Sequence, residues 1–103
     1  KYSGDITCDK SSKVKLVLTE GSSYSGAFDA KGAAAYSKVY LSRNSAWNVT
    51  GDSHIDSLRN GDKKCRNIKS NGHTVYYDKN REANDWLGGK TLSLPGGGTL
   101  QPE

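Results

Sequence analysis

Apolar and polar residues alternate along most of this chain with a period of two. Val14, Leu16 and Leu18 alternate with Lys15, Val17 and Thr19, Val39 and Leu41 flank Tyr40, and Trp47, Val49 and Ile55 alternate with Asn48, Thr50 and His54. A period of two sends successive side chains to opposite faces of a strand, so each run predicts a strand with one core face and one wet face. The runs come in pairs split by a polar corner. Glu20-Gly21-Ser22-Ser23 separates Leu18 from Tyr24, Gly26 and Phe28, and Arg43-Asn44-Ser45 separates Leu41 from Trp47. A shift of 23 residues lays Leu16 under Val39, Leu18 under Leu41, Gly21 under Asn44 and Tyr24 under Trp47. Gly and Asn both tolerate positive φ, so their coincidence predicts the same backbone turn in both copies. A third copy, Ile68 to Tyr77, follows a polar loop from Arg59 to Arg66; Val75 falls 26 residues after Val49, and His73 26 after Trp47, which predicts a loop insertion.

Repeats of this length, none able to bury its own apolar face, predict a solenoid. The fold expected is all-β, a short right-handed parallel β-helix of about three coils with capping segments. The alternative is an antiparallel β-sandwich of the same strands, distinguished by the direction of pairing. Residues 1–103 make a single β-solenoid domain, since a chain of this length has room for one modest core. Outside the repeat, Ile6 and Cys8 suggest a short first strand, and Gly32-Ala33-Ala34-Ala35 a helical turn or a bulge. Asp78 to Asp85 reads as a charged surface loop with a helical turn at Arg81-Glu82-Ala83. Trp86 to Leu100 reads as a cap in which Pro95, unable to donate to a ladder, marks an edge or a stop.

Composition sharpens this picture. Only 33% of residues are hydrophobic while 12 are Gly, which suits a thin β-protein better than a helix bundle. The net charge of +4 favours acidic surfaces, but no basic run exceeds Lys63-Lys64, so nucleic acid is not the expected partner. No apolar run has membrane-spanning length. The chain has no Met, so Lys1 is expected to follow processing or excision, for which loss of a signal peptide would account. Cys8 and Cys65 lack zinc-ligand spacing and point to a single disulfide, which would stabilise by about 4 kcal/mol in the chain-entropy model and implies an oxidising compartment.

The runs Ser45 to Ser53, Asn67 to Asp78 and Leu87 to Thr91, reading SAWNVTGDS, NIKSNGHTVYYD and LGGKT, together resemble the C-terminal end of secreted fungal and bacterial β-helix proteins. Those proteins are adhesin-like or pectate-lyase-like in fold. The resemblance covers about the last two thirds of the chain and implies a parallel β-helix and an extracellular location. It carries no catalytic residues. This chain departs from the pattern at His54 and His73, where Tyr is usual, and at Lys69, where an acid is usual.

The outward set of the central run, Asn48, Thr50, Asp52, His54 and Asp56, is expected to form one continuous row, joined laterally by Ser25 and Thr74. Tyr40 and Tyr76 would add aromatic surface beside outward Lys and Arg, with Tyr2 and Trp86 as further members. These residues, from Asn48 to Asp56 with Thr74, Tyr40 and Tyr76, are the candidate ligand contacts. Two carboxylates and an imidazole on one strand face could hold a cation or perform acid/base chemistry, yet a solvated face accounts for them as well. No catalytic residue, metal ligand or cofactor is assigned. Asn48-Val49-Thr50 is a glycosylation sequon with Asn48 outward. The function expected is a secreted, non-catalytic protein binding an extracellular glycan or cell surface, such as a cell-wall polysaccharide. A small basic secreted effector or antimicrobial protein acting on anionic envelopes is the alternative, and a polysaccharide-degrading enzyme a third.

Overall fold

The computed structural model of the chain describes residues 2–3, 13–19, 21–28, 36–62 and 65–102. Within them the alternating runs form β1 (Tyr2–Ser3), β2 (Lys13–Leu18), β3 (Ser23–Gly26), β4 (Tyr36–Leu41), β5 (Ala46–Val49) and β6 (Ser53–Ile55). There follow β7 (Ser57–Asn60), β8 (Ile68–Lys69), β9 (Thr74–Tyr77), a 3-10 helix (Glu82–Leu87), β10 (Leu92–Ser93) and β11 (Thr99–Pro102). The strands lie in three sheets: sheet I in the order β2-β4-β7, sheet II in the order β1-β3-β5-β8, and sheet III in the order β10-β11-β9-β6. The chain visits sheets I, II and III in turn and then begins again. This is a parallel β-solenoid of about three turns.

Among the described residues the strands pair in parallel, except for the antiparallel β10–β11 hairpin of the final cap. That excludes the sandwich. Leu16 lies beside Val39, Leu18 beside Leu41, Tyr24 beside Trp47 and Gly26 beside Val49, the register expected from the 23-residue shift. The alternation persists in burial. Val39, Leu41, Trp47, Val49 and Ile55 are buried, while their neighbours Tyr40, Asn48 and His54 face outward.

Three expectations are corrected. Val75 pairs with Ser53 rather than Val49, and the partner of Trp47 is Ile68 rather than His73, so the later turn is shorter than the first instead of carrying an insertion. Arg59 and Asn60 belong to a strand, Ser57–Asn60, rather than to the start of a loop, with Leu58 beside Val39 and Asn60 beside Leu41. Asn60 hid it: an inward polar residue breaks the apolar alternation, and here its amide exchanges hydrogen bonds with Asn67 at 2.8 and 3.0 Å. Finally, Gly21 has φ 80°, but Asn44 does not share a positive φ; the non-glycine residues that do, among those described, are Cys65 and Asn71. The 23-residue register therefore holds, while the positive φ expected at both corners occurs at Gly21 and not at Asn44.

The buried apolar residues form one cluster through the coils, with three aromatic rings packed together in it. Trp47 is fully buried, its ring centroid 6.4 Å from both Tyr24 and Phe28, the latter edge-on. Its Nε1–H donates to the Gly26 carbonyl at 3.1 Å, which resolves the one polar atom of the ring.

The far end of the solenoid is closed by side chains that stand in for a further strand. Along the open edge of β7, Asn84 of the 3-10 helix accepts the Leu58 N–H at 2.8 Å and donates to the Asp56 and Asp78 carbonyls at 2.6 and 2.7 Å. Trp86 Nε1–H donates to the Leu58 carbonyl at 3.0 Å. Unpaired strand edges recruit other chains, and here the edge is covered. On sheet II, Ser70 N–H and Oγ–H donate to the Pro95 carbonyl, while Gly98 N–H donates to Ser70 Oγ, each at 2.7 Å. Only glycine fits at position 98, because a Cβ there would overlap the His73 carbonyl oxygen and Ser70. Tyr77 Oη–H donates to the Lys90 carbonyl at 2.6 Å, and burial raises its phenol above the ordinary value of about 10, so it stays a donor.

Candidate functional site

The expected row of outward residues does not stay in one plane. The chain turns at Thr50-Gly51-Asp52, carrying β5 in sheet II and β6 in sheet III onto different sides of the solenoid. A period of two describes a straight strand and is silent about a corner. Asn48 is therefore separated from His54. It belongs to a polar ladder that crosses sheet II from coil to coil, where its Nδ2–H donates to Ser25 Oγ at 3.4 Å and its Oδ1 accepts from Asn71 at 2.8 Å. Both ends of the sequon amide thus serve contacts between coils, and any glycan at Asn48 would share that space. Thr50 sits exposed at the corner itself.

Asp56 lies at the next turn, from sheet III back to sheet I. Its Oδ2 accepts from the Ser37 N–H at 2.7 Å and lies 3.3 Å from Ser37 Oγ. It works as a clasp between successive coils. Asp52 does comparable work at the opposite end of β6, where Oδ1 accepts the Thr74 N–H at 2.9 Å and faces His73 Nδ1 at 3.7 Å. The two carboxylates therefore flank β6 from its two ends, each on a backbone amide, and are not arranged as a pair about one bond. Among the described residues no group of three His, Cys, Asp or Glu side chains is placed to hold a metal ion.

Four of the candidates do converge, on the outer face of sheet III. His54 pairs with Tyr76 and Tyr76 with Gln101, and in the adjoining row Thr74 pairs with Thr99 next to Asp52. The His54 and Tyr76 rings stack with centroids 4.9 Å apart at 19°. Thr99 Oγ1–H donates to Gln101 Oε1 at 2.9 Å, which joins the two outward side chains of β11 through the amide oxygen. The Asp52 side chain is 59% exposed, so its second oxygen remains accessible. The result is a platform of carboxylate, imidazole, phenol, amide and hydroxyl groups spread over three parallel strands, roughly 10 Å across. Nothing in the sequence singles out Thr99 and Gln101, because the glycine-broken tail has no alternation to assign them a face. Their signal was available only in the parallel register of β11 on β9.

Tyr40 lies elsewhere, on the outer face of sheet I, where it pairs with Val17 and Arg59. The expected aromatic surface therefore divides: Tyr40 and Tyr76 occupy different sheets, Trp86 is committed to the cap, and the side chain of Tyr2 lies outside the described residues. Around Tyr40 a shallow depression of about 450 Å³ is lined by Lys15, Val17, Lys38, Tyr40 and Arg59. The sequence reading placed outward Lys and Arg near Tyr40 without identifying these three.

Cys8 lies outside the described residues, and Cys65 is fully buried in the core with φ 57°. No helix among the described residues is long and apolar enough to cross a membrane. Comparison of the chain with protein-family models, with curated proteins and with solved structures found no match, so the β-solenoid is the part of the sequence resemblance that the structure carries.

Proposed function

We propose that this chain is a secreted, non-catalytic β-solenoid that binds an extracellular surface, with a cell-wall polysaccharide as its ligand. The observation that supports this reading is the convergence of Asp52, His54, Thr74 and Tyr76 with Thr99 and Gln101 on one outer sheet face. That face carries both donors and acceptors, as recognition of a polymer of hydroxyl groups requires, and its three parallel strands give an extended chain a surface to lie on. The committed roles of Asp52 and Asp56 in holding the backbone support binding over acid/base catalysis.

Binding is tested on a glycan array and by retention on insoluble wall polysaccharides. Tyr76→Ala combined with Gln101→Ala should weaken binding about tenfold or more, since each lost hydrogen bond contributes about 0.5–1.5 kcal/mol and 1.4 kcal/mol is tenfold. The loss should persist at 0.5 M NaCl, a chosen condition at which interactions between exposed charges are largely screened, roughly within a few ångströms. Unchanged binding by the double variant would remove the platform from consideration, and no retention of the parent protein on any polysaccharide would remove the function.

The extracellular part of the proposal includes a bond between Cys8 and Cys65. Titration under denaturing, non-reducing conditions should then detect no thiol. Two reactive thiols would abolish that support for an oxidising compartment.

A further inference from the structure

We infer that the outer face of sheet I docks on an anionic lipid bilayer, with Val17 and Tyr40 entering the interface and Lys15, Lys38 and Arg59 holding the headgroups. This surface lies on a different sheet from the polysaccharide platform and does not depend on it. Three strands build it in strict register: Lys15 pairs with Lys38 and Lys38 with Ser57, and in the next row Val17 pairs with Tyr40 and Tyr40 with Arg59. Val17 and Tyr40 are each 41% exposed and are the large hydrophobic side chains that stand out from the surface of the described residues. The cations beside them have no carboxylate partner among the described residues. At the other end of the face Arg81 lies over the Tyr36 ring at 4.9 Å and is matched by Asp78 at 3.4 Å, while Lys13, beside Tyr36, extends the row of unmatched cations that runs on to Lys15, Lys38 and Arg59.

Charge complementarity names an anionic occupant, and the apolar pair decides which. An acidic polysaccharide could use the three cations and stack a sugar on Tyr40, but it would leave the aliphatic Val17 in water. A bilayer interface covers both: the tyrosine ring sits at headgroup level with its hydroxyl wet, the valine reaches the acyl boundary, and long Lys and Arg stems let the charges stay with the phosphates. Each cation near an anionic surface contributes about fivefold in affinity, and the contribution falls off within a Debye length.

The test is flotation of the intact chain with vesicles of phosphatidylcholine containing 30% phosphatidylglycerol, with pure phosphatidylcholine vesicles and carboxymethyl-dextran as comparisons. The parent protein should float with the anionic vesicles, stay behind with the neutral ones, and be released by 0.5 M NaCl. Lys38→Gln with Arg59→Gln should reduce binding about 25-fold, and Val17→Ser with Tyr40→Ser should also reduce it strongly. Val17, Tyr40 and Arg59 are exposed and Lys38 is half-buried, and melting temperatures within a few degrees of the parent establish that each variant is folded. If the serine pair binds vesicles as the parent does, or if carboxymethyl-dextran is bound as tightly as the vesicles, lipid docking is overturned and the face is an acidic-polysaccharide site. No binding of the parent to anionic vesicles overturns it outright. The polysaccharide platform stands or falls separately, since Tyr76 and Gln101 are unchanged throughout.

Discussion

Trp47→Ala should lower the free energy of unfolding by about 3–5 kcal/mol, the range for deleting a large buried aromatic side chain. The position is expected to be severe for three reasons that act together. The indole is completely buried, it forms the centre of the stack with Tyr24 and Phe28, and its Nε1–H satisfies the Gly26 carbonyl of the preceding coil. In a solenoid each coil packs only on its neighbours, so no third layer can collapse into the space left behind. A domain of this size is stable by only about 5–15 kcal/mol, and the variant could fall near the folding threshold. Urea unfolding followed by far-UV circular dichroism reads the effect. A loss below about 1 kcal/mol would mean that the central coil is not the principal support of the fold.

Asn84→Leu should cost about 2–4 kcal/mol although it adds apolar volume to a buried site. The Asn84 side chain is 1% exposed and its amide serves three backbone groups, the Leu58 N–H and the Asp56 and Asp78 carbonyls. Leucine would leave those groups buried and unpaired, at about 1–3 kcal/mol for each that water cannot reach. It would also reopen the edge of β7, so aggregation at high protein concentration should accompany the loss of stability. Chemical denaturation measures the first effect, and light scattering the second. Stability equal to that of the parent would show that the 3-10 helix is not what closes the solenoid. Trp86 gives an internal comparison, because its Nε1–H satisfies a single carbonyl and its ring is only partly buried against the core.

The difference between these two positions also marks how far the sequence could be read. Trp47 declares itself: it is an apolar residue in strict alternation, and its match to Tyr24 at a constant shift predicts the parallel neighbour found in the structure. Asn84 sits in a charged segment with no period, where an asparagine reads as surface. Its role comes from a strand edge contributed by residues far from it in the chain.

The same division holds for the candidate sites. Alternation and repeat length determined, from sequence alone, the all-β class, the parallel solenoid, the register of the first two coils and the outward facing of Asn48, His54, Tyr40 and Tyr76. Those properties depend on side-chain direction within a strand, which is local. Which outward residues share a surface was decided only by the tertiary structure. The corner at Thr50-Gly51-Asp52 sends Asn48 and His54 to different sheets, and a turn that begins without a break in polarity leaves no periodic trace. Parallel stacking then places Gln101 beside Tyr76 and Arg59 beside Tyr40. Lateral neighbours in a solenoid are one whole coil apart, so small changes in coil length choose them, and coil length is set by how the corners close in three dimensions.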